Sequence, residues 1–85
     1  MERVQIFEVV RNNIQKVIEA SRGKEITEAM SMRDFNADSL EIVEVVSRSM
    51  KELKIKVPRT DLSTAKNIGE LVSLLEKHAS LAKTG

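Results

Sequence analysis

The amino-acid sequence predicts an all-α fold in one domain. Apolar residues recur every three or four positions in three stretches, and two of these open with an Asx-x-x-Glu capping pattern, Asp38/Glu41 and Asn67/Glu70. Of 85 residues, 41% are hydrophobic but only 2% aromatic, so the core must be built from Val, Ile, Leu and Met, with Phe7 and Phe35 as its only rings. A chain of this size has room for one modest core and no separate substrate domain.

The first helix is expected from Val4 to Ala20. Phe7, Val10, Ile14 and Val17/Ile18 form its apolar stripe, and Glu8, Arg11, Asn12, Gln15, Lys16 and Glu19 cover the rest. Ser21-Arg22-Gly23-Lys24 should stop it, with Gly23 suited to a left-handed backbone. Glu25 to Asn36 lacks clear periodicity and reads as a long connection containing at most one short helical turn, pinned to the core by Ile26, Met30, Met32 and Phe35. The second helix is expected from Ser39 to Leu53, with Asp38 as N-cap and Ser39 in the first helical position. Pro58 disfavours helical geometry at Val57, so Lys54-Ile55-Lys56-Val57 should be extended. A short turn of helix is expected around Asp61-Leu62-Ser63-Thr64. The last helix should run from the Asn67 cap to about His78, burying Ile68, Leu71, Leu74 and Leu75, and the tail Ala79 to Gly85 should fray. His78 is expected near that helix C-terminus, interacting with the dipole. Met30, Met32 and Met50 read as flexible packing.

Composition narrows the function. The absence of cysteine removes disulfides, thiolate metal sites and a cysteine nucleophile, so any thiol chemistry must come from a cofactor. Net charge is +1, from 14 basic and 13 acidic residues, which argues neither for a nucleic-acid binder nor for a strongly acidic protein, and the two aromatic residues suggest no base-stacking platform. No apolar stretch is long enough to span a bilayer, and the charged start Met1-Glu2-Arg3 does not resemble a signal peptide. The expected protein is soluble and cytoplasmic.

Ser39 is the most informative residue. It stands where a loop ending Asp34-Phe35-Asn36-Ala37 gives way to the helical run Leu40 to Val46. A helix N-terminus offers unsatisfied N–H groups and the positive end of the macrodipole, so a phosphate ester on Ser39 would be favourably placed. The same serine is ill placed for catalysis. The single histidine, His78, belongs to another helix, and Asp38 and Glu41 disfavour an alkoxide. Ser39 therefore reads as an attachment point.

Asp34-Phe35-Asn36-Ala37-Asp38-Ser39-Leu40, followed by Glu41, Val43, Glu44 and Val46, resembles the phosphopantetheine attachment motif of acyl carrier proteins. Lys56-Val57-Pro58 is similar to the Ile/Val-Pro step of that family, and Asn67-Ile68 to the start of its last helix, so the resemblance covers nearly the whole chain. It implies a four-helix bundle of acyl-carrier type with a short third helix and a long loop between the first two. It also implies 4′-phosphopantetheine on Ser39, installed from coenzyme A by a magnesium-dependent phosphopantetheinyl transferase. The thiol of the arm would hold acyl cargo as a thioester. Asp38 would mark the site for the transferase, and Leu40 and Val43 would give partners an apolar contact. The implied protein is no enzyme but a monomeric carrier serving acyl-loading ligases or transferases, synthases and tailoring enzymes of fatty-acid, polyketide or related lipid and secondary-metabolite synthesis. Ile42, Val46, Ile55, Leu62, Ala65 and Ile68 are the family-implied lining for an acyl chain, with ordinary packing as the default.

Two departures from that pattern stand out. Asn36 replaces the usual Gly and Phe35 the usual Leu, although Asn tolerates a left-handed backbone. The second helix and its sequel carry Arg48, Lys51, Lys54, Lys56 and Arg59 against Glu41, Glu44 and Glu52, where fatty-acid carriers of the family are strongly acidic. Acidic recognition is then expected near Asp38, Glu41 and Glu44. Arg48 and Lys51 at the basic far end would steer the chain away from basic patches of general fatty-acid enzymes. The alternatives are a peptidyl or aminoacyl carrier, an unmodified helical interaction module, or a helix-turn-helix binder using Arg48, Lys51 and Lys54.

Overall fold

A computed structural model describes residues 2–83, with side chains through Ala79. It contains four α-helices among the described residues and no strand: α1 (Arg3–Val17), α2 (Ser39–Leu53), α3 (Arg59–Leu62) and α4 (Ile68–Lys83). The long loop separates α1 from α2 and α3 is the shortest helix, as expected. α1 packs against both α2 and α4, and α3 lies on α4.

α1 presents Ile6, Val10 and Ile14, each fully buried, to the rest of the bundle. Its leading core residue is thus Ile6, and Phe7 is only partly buried on the flank. The helix also ends earlier than expected, at Val17. Ile18 adopts an extended backbone that carries its side chain into the core, and Glu19–Ser21 forms a 3-10 turn. The carbonyls left over at this end are satisfied from downstream. The Ser21 hydroxyl donates to Ile18 O (2.6 Å), while the Arg22 guanidinium donates to Gln15 O (2.8 Å) and Lys16 O (3.1 Å). Gly23 closes the turn at φ +78°.

The loop is anchored rather than free. Ile26, Met32, Phe35 and Ala37 are buried and Met30 packs partly against them. Its backbone also caps another helix: Glu28 O and Met30 O accept from Gly69 N (2.8 Å) and Ile68 N (2.9 Å), the first N–H groups of α4. A Cβ on Gly69 would meet Glu28 Cβ and O at 3.0 Å, so glycine permits this close approach. Arg3 ties the junction together, donating to Glu28 (2.6 Å), Gly69 O (3.1 Å), Ser73 Oγ (2.9 Å) and Glu76 (3.2 Å). The Arg3 guanidinium hydrogen-bonds the Glu28 carboxylate and holds its pKa below the usual value; Glu28 in turn raises that of Arg3.

α2 buries Val45, Val46, Ser49 and Leu53. Ser49 is polar and fully buried, yet satisfied: its hydroxyl donates to Val45 O (2.8 Å) and accepts from Asn13 Nδ2 (3.2 Å), joining α1 to α2. At its C-terminus Lys54 is left-handed (φ 58°, ψ 41°), and Ile55 N bonds back to Met50 O (3.0 Å) in a Schellman-type closure. Lys54 is therefore a helix cap and not the first extended residue. From Ile55 to Val57 the chain has no regular structure and alternates, with Ile55 and Val57 buried and Lys56 exposed.

α3 begins at Arg59, two residues before the expected turn, because Pro58 supplies the N-cap backbone (φ −58°). Ser63 and Thr64 close it with their hydroxyls on Thr60 O and Asp61 O. In α4, Asn67 Oδ1 accepts from Glu70 N (2.8 Å), while the Glu70 carboxylate reaches Lys66 N (3.1 Å), one residue before the expected capping-box partner. The buried stripe is Ile68, Leu71, Val72 and Leu75; Leu74 sits half-buried on its flank. With no Pro or Gly between His78 and Gly85, α4 continues to Lys83. His78 is consequently not at a helix end, and instead pairs with Asp61 of α3 (3.4 Å). The expected fraying bears on a tail whose last residues, and whose side chains from residue 80 onward, lie outside the described residues.

Candidate functional site

The local sequence at the start of α2 specifies its own boundary. Asp38 is extended, its Oδ1 accepts from Glu41 N (2.7 Å), and Glu41 Oε1 accepts from Asp38 N (3.0 Å). This reciprocal box places Ser39 in the first helical position and exposes it. Upstream, a Ser31-capped 3-10 turn (Met32–Phe35) ends at Asn36, whose left-handed backbone (φ 61°, ψ 28°) takes the role expected of a glycine. Phe35 and Ala37 point into the core on either side of Asn36, which fixes the approach of the chain to Ser39.

Chemically, the arrangement suits an ester of phosphate. The Ser39 hydroxyl forms no hydrogen bond among the described residues, nor do the N–H groups of Ser39 and Leu40, so both nucleophile and berth are available. The two neighbouring carboxylates are each engaged by a backbone N–H of the box, which softens their repulsion of a phosphate. Among the described residues no base bonds to Ser39, and the single histidine is held by Asp61. The arrangement offers an exposed hydroxyl at a helix start, without a base to activate it among the described residues.

Two apolar side chains are exposed beside Ser39. Leu40 is 81% and Val43 53% exposed, two of only three large hydrophobic residues so exposed among the described residues. They border a cleft of about 660 Å3 between α2 and α3 that also includes Ser47, Arg59 and Leu62. Ser47 was not singled out by sequence reasoning, and Arg59 only as part of the basic run that follows α2. Ser47 extends the Leu40, Val43 face at helical spacing and was legible there, whereas Arg59 reaches it only through the fold. Of the six residues implied as acyl lining, Ile42, Val46, Leu62 and Ala65 do share a cleft of about 440 Å3, with Met32 and Leu71. Ile55 and Ile68 do not join them and are core.

The charged residues separate into two groups. Glu44 and Arg48 form an i,i+4 pair (3.0 Å), so these two expected recognition residues neutralise one another. Lys51 lies further along, exposed, beside Lys54 and Lys56. Asp38 and Glu41 thus leave the start of α2 acidic, while Lys51 and Lys54 outnumber Glu52 at its far end.

Comparison with known proteins places this geometry. The phosphopantetheine attachment site family matches residues 8–75. The chain is 35% identical over 75 residues to the polyketide biosynthesis acyl carrier protein AcpK of Bacillus subtilis (strain 168), covering 88% of this chain and 92% of that protein. It is 32% identical to an acyl carrier protein of Thermotoga maritima over 88% of this chain and 93% of the other. Among solved structures, it matches a chain in the crystal structure of the curacin biosynthetic pathway HMG synthase in complex with acetyl donor-ACP. The TM-score is 0.79 at 26% identity, covering 87% of this chain and 95% of that one.

Proposed function

Given that this chain belongs to the acyl carrier protein family, we propose that Ser39 is the residue that bears its 4′-phosphopantetheine and that the cargo is handed on within a polyketide-type pathway. The protein is a phosphopantetheine-bearing carrier in acyl biosynthesis. When bound, the group supplies a thiol to a chain that has no cysteine.

The chain's own contribution is positional. The Asp38/Glu41 box holds Ser39 at the helix start with its hydroxyl outward, where a transferase reaches it. The free N–H groups of Ser39 and Leu40 stand beside the ester and favour its negative charge. Leu40 and Val43 present the apolar contact for the transferase and for later partners, and Asp38, Glu41 and Glu44 the acidic one. Arg48 and Lys51 set this carrier apart from uniformly acidic ones. Partners are then the transferase, a loading ligase or acyltransferase, and a condensing synthase; likeness to the acetyl donor of an HMG synthase supports a short acyl cargo. The protein acts as a monomeric single domain without catalysis of its own, in the cytoplasm. No helix among the described residues is long and apolar enough to cross a membrane.

The observation that carries the reading is the exposed, unbonded Ser39 at the first position of α2. Incubation with coenzyme A, magnesium and a broad-specificity phosphopantetheinyl transferase should give a single phosphopantetheine mass adduct, absent in Ser39→Ala. An adduct that persists in Ser39→Ala would refute the assignment.

A further inference from the structure

The end of α2 remote from Ser39 carries another cleft, of about 920 Å3. Its floor is Ile55, Val57 and Pro58, and Lys51, Lys54 and Lys56 surround it. None of the three ammonium groups has an ion-pair partner among the described residues, whereas Arg48, one turn earlier, is paired. His78, which pairs with Asp61, also lines the cleft, and Glu52, next to Lys51 in sequence, forms no ion pair with these lysines among the described residues. Lys54 adds an independent sign. It occupies the left-handed closing position of α2 that glycine fills without strain, so a lysine there is held against backbone preference.

We propose that this cleft docks an acidic segment of a partner protein, one that seats an aliphatic side chain on the Ile55/Val57/Pro58 floor and sets carboxylates against Lys51, Lys54 and Lys56. Charge complementarity selects the occupant. A lipid surface fits less well, because the exposed large hydrophobics among the described residues, Val4, Leu40 and Val43, all lie elsewhere. α2 is 15 residues long, so its ends are roughly 22 Å apart at ~1.5 Å per residue. A partner held at the basic end leaves the Ser39 end free for delivery. The inference rests on the carrier reading only in supposing that the partner is an enzyme receiving cargo.

The test uses the full chain, isotopically labelled, titrated at low salt with a synthetic peptide of glutamates carrying leucines at helical spacing. Amide shifts should concentrate at Met50, Lys51 and the segment from Lys54 to Val57, and salt should weaken them. The double variant Lys51→Glu/Lys56→Glu should lose about tenfold or more in affinity. Lys54→Gly should also bind less tightly while its melting temperature stays level or rises, a combination that a purely structural lysine would not produce. Shifts confined to Leu40 and Val43, undiminished binding by both variants, or a response to anionic phosphatidylglycerol vesicles but not to the peptide would each overturn the proposal. Phosphopantetheine loading of the same variants gives the separate readout. Normal loading with no peptide binding defeats the docking site alone, and peptide binding with no adduct on the parent protein defeats the Ser39 assignment alone.

Discussion

Asn36 offers a sharp test of how the loop delivers the chain to Ser39. Its backbone is left-handed (φ 61°, ψ 28°), its N–H bonds to Arg33 O (3.0 Å), and its side chain is exposed, so substitution changes backbone preference with little effect on packing. Alanine in this region pays about 1 kcal/mol, the low end of the usual left-handed penalty. At ~2.1 cal/mol/K per residue, 85 residues give an unfolding entropy of roughly 0.18 kcal/mol/K. The expected fall in melting temperature for Asn36→Ala is then about 5–6 °C. Asn36→Gly relieves the backbone but adds freedom to the unfolded chain, two effects of similar size, so it should stay within roughly 2 °C of the parent. Thermal unfolding followed by circular dichroism measures both. Phosphopantetheine loading should slow in Asn36→Ala and not in Asn36→Gly, since Ala37 and Asp38 follow directly. Equal melting temperatures for the two variants would refute the idea that the left-handed turn governs this junction.

Ser49→Ala should lower stability by about 1–3 kcal/mol in chemical denaturation, because it leaves the buried Asn13 amide without its acceptor; a change under ~0.5 kcal/mol would show that the pair is dispensable. The Arg3 junction predicts a pH signature. Arg3 depresses the Glu28 pKa from its ordinary value of 4.5, so this contact stabilises the fold above that pH and its contribution disappears as pH falls through the lowered value. Arg3→Gln should therefore melt below the parent at pH 7, with the gap narrowing below pH ~4.5; a gap independent of pH would assign the Arg3 effect to its neutral contacts.

Sequence reading served best where structure is local. The Asp38/Glu41 box, the left-handed Asn36 and the exposure of Leu40 and Val43 all depend on residues a few positions apart. It served less well wherever a distant partner intervenes. α1 stops at Val17 because Ser21 and Arg22 take its carbonyls and Ile18 turns into the core, although periodicity alone continues. Gly69 looks like an ordinary helix residue until Glu28 is placed against it. His78, seemingly a helix-end residue, finds its partner on α3.

By itself, then, the sequence determined the all-helical architecture and Ser39 as an outward hydroxyl at a helix start, since capping and periodicity are written in neighbouring residues. Tertiary structure alone decided how the long loop caps α4 and how Arg3 clamps that junction. It also brought His78 of α4 to the cleft lined by the neighbouring residues Lys51, Lys54 and Lys56. The reason is physical: backbone groups at helix ends and charges around a cleft are satisfied by whatever the fold brings near, and nearness across the fold is not encoded in sequence spacing.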